Sequence, residues 1–300
     1  MTTFLYLFCL IVWGLNFIAV KIQGTPVSLE LSLTYRLAAT ALLFFLLLLF
    51  MKPASRKVKR IDLPYILIFG LCNFALSYLC LYYATVMSSA AIVTLIFSLK
   101  VILTPVALRI FLKEPLHIRL LAGGMLGVAG VGLVIYPSLS SLNNSDVYGI
   151  LMALLGTIIT AIGDAVSARN ARAKVNPVHA NTIGFTAASL LMATFFLFKS
   201  EPVSLPTSPS YIGALIYLTV IASFLAWLFY LELVEKLGGA KAGYMVALFP
   251  AVGGIASVLI GESELSVFLV SGCVSSCAGA AMALGMRLPL FFSQQKAVHK

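Results

Sequence analysis

Residues 89–116 read SAAIVTLIFSLKVILTPVALRIFLKEPL, and residues 89–112 of this run are almost wholly apolar. Lys100 lies near the middle of the run, and Arg109 lies near its end. A helix of about 20 apolar residues crosses the hydrocarbon core of a bilayer. The segment must be helical because lipid offers the backbone no hydrogen-bond partner. We therefore predict a transmembrane helix with a cation close to its midpoint.

The chain as a whole is strongly apolar. Of its 300 residues, 61% are hydrophobic and only 10% are charged, and the mean hydropathy is +1.05. In soluble domains about a quarter of the residues are charged. The composition therefore excludes a water-soluble globule, a disordered chain, a disulfide scaffold and a nucleic-acid binder. At about 20 residues a span, ten spans leave enough chain for loops and tails but not for an extramembrane domain.

Ten apolar segments follow one another along the sequence. Their approximate bounds are 3–20, 31–51, 62–84, 89–112, 119–137, 148–168, 180–198, 209–234, 242–260 and 265–286. We predict an all-α membrane protein with ten transmembrane helices. The first segment is expected to be a retained span, because no basic residue precedes it and no small-residue cleavage pattern ends it.

The distribution of Lys and Arg predicts the orientation in the membrane. The net charge is +10, and 16 of the 20 basic residues lie on one side when the loops are counted alternately. These 16 are in segments 52–61, 109–119, 169–179 and 235–241 and in the C-terminal tail. The opposite side has only Lys21 and Lys199. The positive-inside rule therefore predicts that both termini are cytoplasmic.

The two halves of the sequence resemble each other. Gly14 and Gly163 are 149 residues apart, and Glu114 and Glu262 are 148 residues apart at comparable points after long spans. A unit of five helices has an odd number of spans, so a second copy must be inserted upside down. We predict inverted repeats at 1–140 and 147–287 around a central cavity, followed by a basic cytoplasmic tail at 288–300. This architecture is typical of secondary transporters.

Four short motifs carry a resemblance to a known family. They are Trp13-Gly14-Leu15-Asn16-Phe17, Tyr35-Arg36, Lys113-Glu114-Pro115-Leu116 and Ile260-Gly261-Glu262. The chain resembles the drug/metabolite transporter superfamily in its EamA branch over essentially its whole length. Within that branch it is similar to the aromatic amino-acid exporters of bacterial inner membranes. The second half departs from the pattern at two positions. Ile162 occupies the position that corresponds to Trp13, and no basic residue occupies the position that corresponds to Arg36.

The resemblance implies a secondary transporter that exports aromatic and other bulky neutral amino acids across the inner membrane by alternating access. Two alternatives stay open. One is a broad-specificity drug or metabolite exporter of the same fold, and the other is a multi-spanning membrane enzyme or sensor. The expected partners are the small-molecule substrate and the lipid bilayer, with no nucleic acid, and the chain is expected to be a monomer or weak oligomer.

Lys100 is the first candidate for substrate binding, because an ionisable group inside a bilayer is costly and indicates function. It shares a helix face with Phe97 and Thr104. A cation beside an apolar ring and a hydroxyl suits the carboxylate of an aromatic substrate. The alternative is a structural lysine that faces a carbonyl-lined crevice or a neighbouring acid.

Three further charges lie inside predicted spans and are candidates for coupling or gating. Arg36 could attract an anion to the external mouth, or it could reach the headgroups or lock two helices together. Asp164 and Glu232 each lie near the cytoplasmic end of a span. Either could bind a substrate ammonium or a coupling proton, and either could be a charge on the rim.

Six further side chains are expected to line the cavity as substrate-binding groups: Trp13, Asn16, Tyr78, Trp227, Tyr230 and Tyr244. Tyr and Trp combine an apolar body with a polar tip, which suits a half-hydrated cavity. They equally suit the membrane interface, and Tyr82, Tyr83 and Tyr211 are assigned to that interfacial belt. Asn16 needs a polar partner at its depth, from either a ligand or a helix.

Glycine and proline predict how the helices pack and bend. The fifth span contains Gly123 and Gly127 at a small-xxx-small spacing, and the tenth is also rich in small residues. Such helices approach closely, so we predict packing faces there. Pro105 and Pro250 free backbone groups in the fourth and ninth spans, and we predict that each half flexes at these helices.

No catalytic site, cofactor or metal is expected. The sequence has no Gly-x-x-x-x-Gly-Lys-[Ser/Thr] loop for a nucleotide. His117, His179 and His299 fall in predicted loops or the tail, and only Asp164 is an aspartate well inside a span. These facts speak against an intramembrane protease and against a metal site. The five cysteines all lie in apolar segments, and we expect free thiols.

Overall fold

The computed structural model describes residues 2–51, 58–116, 118–138, 143–237 and 244–283. Within these ranges the secondary structure is helical and contains no strand. In chain order the helices are α1 Thr2–Gln23, α2 Leu29–Leu49, α3 Arg60–Met87, α4 Ala90–Leu112, α5 Ile118–Ile135, α6 Asn144–Arg172, α7 Pro177–Phe198, α8 209–237, α9 244–259 and α10 Val267–Ala283.

Seven of these helices are long and apolar enough to cross a membrane. They are α1, α2, α3, α4, α6, α7 and the Pro209–Tyr230 part of α8. Shorter apolar helices lie at Ala122–Ile135, Phe249–Leu259 and Val267–Gly279. Large apolar side chains such as Phe4, Phe50 and Phe198 are exposed on the surface, where lipid would cover them. The chain is a multi-pass membrane protein, and the number of ten spans stays a prediction.

Three helices are interrupted near their middle or start. The breaks lie at Leu15 in α1, at Leu99 in α4 and at Leu248 in α9. Pro250 takes the second position of the helical piece that follows the α9 break, where its missing N–H is not needed. Pro105 lies inside the second piece of α4. The breaks therefore occur in the two helices for which bending is predicted, and in α1 as well.

Two helices contain a π-helical segment, at Leu71–Leu76 in α3 and at Tyr217–Leu225 in α8. A π-turn accommodates an extra residue and is frequent at functional sites. The segment in α8 carries Ser223, and the segment in α3 carries Asn73. Neither irregularity has a signature in the composition, and the sequence analysis did not predict them.

Small residues bring helix backbones into contact, as predicted. α5 packs along α10, α2 along α7 and α3 along α6. A Cβ atom added at Gly130 would lie 2.7 Å from the carbonyl oxygen of Gly272, and one added at Gly279 would lie 2.7 Å from the backbone nitrogen of Gly127. A side chain at either position would therefore force α5 and α10 apart.

The largest apolar cluster among the described residues joins α1, α2, α3, α7 and α8. The rings of Phe74 and Phe185 stack with centroids 3.8 Å apart, and Phe44 lies 5.6 Å from Phe185. This cluster forms a rigid wall behind Tyr78, whose ring packs edge-on against Phe74. The five cysteines are all free thiols in the structure, as predicted.

Candidate functional site

Lys100 begins the second helical piece of α4, immediately after the break at Leu99. Its Nζ lies 3.0 Å from Oδ2 of Asp164 on α6, and the Thr104 hydroxyl donates to the same oxygen at 3.0 Å. The Phe97 ring centroid is 5.4 Å from Nζ. The neighbouring acid that the sequence analysis left open is thus present. Both side chains are about one-fifth exposed, at 20% and 21%, so a polar ligand would reach a pair rather than a lone cation.

Arg36 lies at a junction of four helices and is only 1% exposed. Its Nε donates to the Ser223 hydroxyl at 3.0 Å, and its two terminal nitrogens donate to the Tyr82 hydroxyl at 3.1 Å and to Oδ1 of Asn16 at 3.2 Å. The guanidinium also sits 4.6 Å above the Tyr78 ring. The structure therefore places two of the predicted cavity residues, Asn16 and Tyr78, directly on Arg36.

The aromatic candidates form one cluster between α1 and α8. The Trp13 ring lies 5.5 Å from Trp227 and 5.2 Å from Tyr230, and Trp227 lies 5.3 Å from Phe74. The indole N–H of Trp13 donates to the carbonyl of Ala222 at 2.8 Å. The Trp227 indole nitrogen is buried and has no hydrogen-bond partner among the described residues. Trp13, Trp227 and Tyr230 thus contact one another, and their role as a cavity wall stays a prediction.

Phe97 connects the Lys100 pair to this part of the molecule. Its ring packs edge-on against Phe17 of α1 at 5.5 Å and parallel to Phe249 of α9 at 6.4 Å.

The side chain of Tyr244 lies outside the described set, although its backbone starts the first turn of α9. Glu232 pairs with Lys236 one turn further along α8, and both are 37% exposed. Glu232 is therefore a rim charge rather than part of the central cluster.

The belt assignment of two tyrosines is wrong. Tyr82 is 2% exposed and bonds Arg36, and Tyr211 is fully buried with its hydroxyl 3.0 Å from that of Ser32. Tyr83 lies nearer the surface, where it donates to Oε1 of Glu30 at 2.7 Å. Sequence position alone could not separate these cases, because the burial of a tyrosine within the protein depends on which helix covers it.

One end of the bundle is held by a partly buried ion pair that the sequence analysis did not predict. Lys21 at the end of α1 lies 3.3 Å from Oε1 of Glu262, and it donates to the carbonyls of Thr85 and Ser88 at 3.2 and 3.0 Å. Both oxygens of Glu262 accept the Ala90 N–H, at 3.0 and 3.1 Å. The carboxylate therefore caps the start of α4, where the helix dipole is positive. We call this set the Lys21 latch.

A cleft of about 290 Å³ opens beside the Lys21 latch, lined in part by Met87, Tyr83 and Lys199. Lys199 lies 2.7 Å from Oε2 of Glu30 and donates to the Tyr83 hydroxyl at 3.1 Å. Burial lowers the pKa of Lys199, but its bonds to Glu30 and Tyr83 outweigh burial and raise that pKa above its usual 10.5. The ammonium stays charged at neutral pH and is neutralised by Glu30, and Glu201 also lines the cleft.

The opposite end of the bundle is held by two ion pairs that differ in exposure. Arg172 at the end of α6 pairs with Glu114, and both are well exposed, at 55% and 37%. Arg169 lies 2.6 Å from Oδ1 of Asp62 and stacks on the Tyr65 ring at 3.8 Å. Glu114 and Glu262 thus both pair with a basic side chain at the end of a helix, but Glu114 is 37% exposed and Glu262 only 11%.

Among the described residues, no group of three His, Cys, Asp or Glu side chains could hold a metal ion.

Comparison with known proteins gives the family. A model of the EamA-like transporter family matches residues 1–136 and again residues 147–285. The chain is 23% identical over 266 residues to an "Uncharacterized transporter" of Archaeoglobus fulgidus, covering 87% of this chain and 90% of that one. It is 25% identical over 273 residues to the "Uncharacterized transporter YyaM" of Bacillus subtilis, covering 88% of each.

A solved crystal structure has the same fold. It superposes with a TM-score of 0.68 at 18% identity, covering 94% of this chain and 96% of its own. At that identity the likeness concerns the fold alone. The family match spans both halves and agrees with the multi-pass architecture described above. The chain therefore belongs to the EamA-like transporter family of the drug/metabolite transporter superfamily.

Proposed function

We propose that this protein is a secondary transporter of the bacterial inner membrane that exports aromatic and other bulky neutral amino acids by alternating access. The observation that carries the proposal is the buried set of polar and aromatic groups between α1, α2, α4, α6 and α8. Arg36 and the Lys100–Asp164 pair lie in this interior beside the cluster of Trp13, Trp227 and Tyr230. Ionisable groups at such depth are costly unless they serve a pathway.

Several features support ten spans arranged as two inverted halves. The same family model matches each half in turn. The breaks at Leu99 and Leu248 are 149 residues apart, close to the spacing of the motifs, and the π-segments of α3 and α8 correspond in the same way. α2, α4 and α5 each pack against the helix five places later. A two-fold axis in the membrane plane would produce this pairing.

The two ends of the bundle support alternating access. With both termini in the cytoplasm, the Lys21 latch is external and the Arg172–Glu114 pair is cytoplasmic. At the external end Glu262 is bound by Lys21, Ala90 and Ser257 together, and at the cytoplasmic end Asp62 is bound by Arg169. Export requires these two sets of contacts to open in turn.

The central groups take distinct parts in this proposal. The Trp13, Trp227 and Tyr230 rings contact the bulky apolar body of the substrate. The Lys100–Asp164 pair exchanges partners with a polar group of the substrate or with a proton as the two halves move. Thr104 holds Asp164 in place through its 3.0 Å hydrogen bond.

The proposal is tested by flux in liposomes that carry the purified chain. Radiolabelled tryptophan, phenylalanine, leucine and glutamate are offered separately, with protein-free liposomes as the control. We expect tryptophan and phenylalanine to move fastest, leucine more slowly, and glutamate not above the control. Absence of flux for all four contradicts the proposal. Equal flux of all four instead favours a broad-specificity metabolite exporter.

A further inference from the structure

Arg36 is a buried cation whose contacts are all neutral. Its guanidinium is permanently charged, and at 1% exposure it is the largest of the fully buried side chains. The contacts to Asn16, Tyr82 and Ser223 are made by an amide and two hydroxyls. No acidic side chain pairs with it in the part of the chain that the structure describes. A buried charge without a counter-ion is strongly unfavourable. The site therefore lacks one negative charge that would neutralise Arg36.

The acidic side chains that the structure describes lie away from Arg36. There are ten, and six of them pair with other bases: Glu30, Asp62, Glu114, Asp164, Glu232 and Glu262. Asp146 closes the capping box of α6, and Glu201 and Glu264 lie in loops. Of the nine acidic side chains that are described, none is therefore available to neutralise Arg36. We therefore look for the missing anion in a bound ligand.

Arg36 keeps hydrogen-bond donors that its described contacts do not use. Each terminal nitrogen carries two N–H donors, and each makes one bond in the structure, to Tyr82 or to Asn16. A carboxylate accepts two parallel N–H bonds from such a fork. A charge-assisted hydrogen bond to a carboxylate is about twice as strong as one to a neutral amide or hydroxyl, so a carboxylate competes with these acceptors for the guanidinium.

The groups next to Arg36 indicate the rest of the ligand. Ser223 lies one turn before Trp227 on α8, and Trp13 donates to the carbonyl of Ala222 beside Ser223. An aromatic cluster therefore adjoins the cation directly. The Trp227 indole N–H, buried without a partner among the described residues, is a second donor at the same wall. A molecule with an apolar ring and an anionic oxygen group matches both features.

The Lys100–Asp164 pair cannot offer the same recognition. Its cation is already neutralised by an acid at 3.0 Å. It adds no net charge to the interior, whereas Arg36 adds one positive charge. The interior described here therefore has an excess of positive charge and offers a substrate ammonium no unpaired acid.

We propose that Arg36 is the docking point for the carboxylate of the substrate, and that aromatic monocarboxylates bind whether or not they carry an ammonium group. This inference rests on the proposed function, since it names the feature of the transported molecule that the interior recognises. It widens the substrate class from amino acids to arylalkanoic acids of similar size.

The first test compares three probes of nearly equal shape on the purified full-length chain in detergent. They are L-phenylalanine, 3-phenylpropionate and phenethylamine, which carry both charges, the carboxylate alone and the ammonium alone. Binding is read from tryptophan fluorescence. We expect the first two to bind with Kd values within about threefold, and phenethylamine at least about tenfold more weakly. Phenethylamine binding as tightly as phenylalanine, or 3-phenylpropionate binding about tenfold more weakly than phenylalanine, overturns the inference.

The second test supplies the missing anion from the chain itself. Asn16→Asp is nearly isosteric and puts a carboxylate on Arg36. It should weaken 3-phenylpropionate binding about tenfold or more, while Tm stays equal or rises. The matched control is Asn73→Asp in α3, another buried asparagine, where no cation is in contact and Tm should fall. If Asn16→Asp binds the acid like the wild type, or loses as much Tm as the control, Arg36 is not an anion site.

The two proposals fail in different ways. If the wild type binds 3-phenylpropionate but liposomes show no flux of any probe, the transport proposal fails and the anion site stands. If the wild type transports phenylalanine and Asn16→Asp transports it equally well, the transport proposal stands and the anion site is wrong.

Discussion

The ion pair between Lys100 and Asp164 shows how a single residue in a membrane interior depends on its partner. Removing one charge leaves the other buried and unpaired, which is strongly destabilising. Replacing both by apolar residues of similar volume is often neutral for stability. The contribution of the pair to thermal stability and its contribution to transport can therefore be measured separately.

Lys100→Ala should lower phenylalanine flux about tenfold or more, because a hydrogen bond to a charged group contributes about 1.5–3 kcal/mol. It should also lower Tm, since Asp164 loses its cation. The double variant Lys100→Met, Asp164→Leu should recover the Tm but not the flux. Flux and thermal unfolding measured side by side on the three proteins check this. Full flux in the double variant would show that the pair only supports the fold.

The sequence was enough to single out the central residues as functional candidates, but it did not predict which residues they contact. Lys100, Arg36 and Trp13 stand out because a charged or amphipathic group inside an apolar run is unusual. That Asp164 meets Lys100, or that Asn16 meets Arg36, depends on the rotation and register of two helices. Nothing in a single sequence reports those quantities, and the same limit misplaced Tyr82.

At the level of the helices, small residues determine how closely α5 and α10 approach. Gly130 faces the backbone of α10, whereas a Cβ atom at Gly132, two residues later, would have no neighbour within 4 Å. The two positions lie on one helix and differ in little besides this contact. They therefore form a matched pair for testing the interface.

Gly130→Ala should lower the free energy of unfolding by about 1–3 kcal/mol, the cost of overpacking a tight contact. Gly132→Ala should leave it unchanged or raise it by up to about 1 kcal/mol, since alanine favours the helix. Thermal or chemical unfolding in the same detergent measures both. Equal effects of the two substitutions would mean that α5 and α10 do not meet at Gly130.

The irregular backbone was only partly predictable. Pro105 and Pro250 mark α4 and α9, and both helices are broken. The π-segments of α3 and α8 mix apolar residues with polar ones such as Asn73 and Ser223, and no residue pattern in them predicts a π-turn. The break at Leu15 lies inside the motif that carries the family resemblance, which marked the position without predicting the break.

At the level of the whole molecule, the two ends of the bundle differ in how they are closed. Glu262 is nearly buried and caps α4, whereas Glu114 is exposed beside Arg172. Composition and the repeat spacing predicted two equivalent glutamates, and only the structure shows that one is engaged more fully. The asymmetry concerns the two glutamates, since the Arg169–Asp62 pair at the Glu114 end is 26% and 6% exposed.

Glu262→Gln should loosen the Lys21 latch, because the neutral amide loses the attraction of Lys21 and of the α4 dipole. Backbone amides around Ala90 should then exchange with deuterium about tenfold faster, corresponding to about 1.4 kcal/mol. Glu114→Gln is the control at the other end and should leave that segment unchanged. If both variants exchange like the wild type near Ala90, the latch does not hold this end.

Counterflow tests the central claim most directly. Liposomes carrying the protein are loaded with unlabelled phenylalanine and diluted into a trace of labelled phenylalanine. A carrier whose interior opens to one side at a time predicts a transient accumulation of label above equilibrium, which protein-free liposomes do not show. Label that only rises to equilibrium, without an overshoot, would contradict alternating access through this interior.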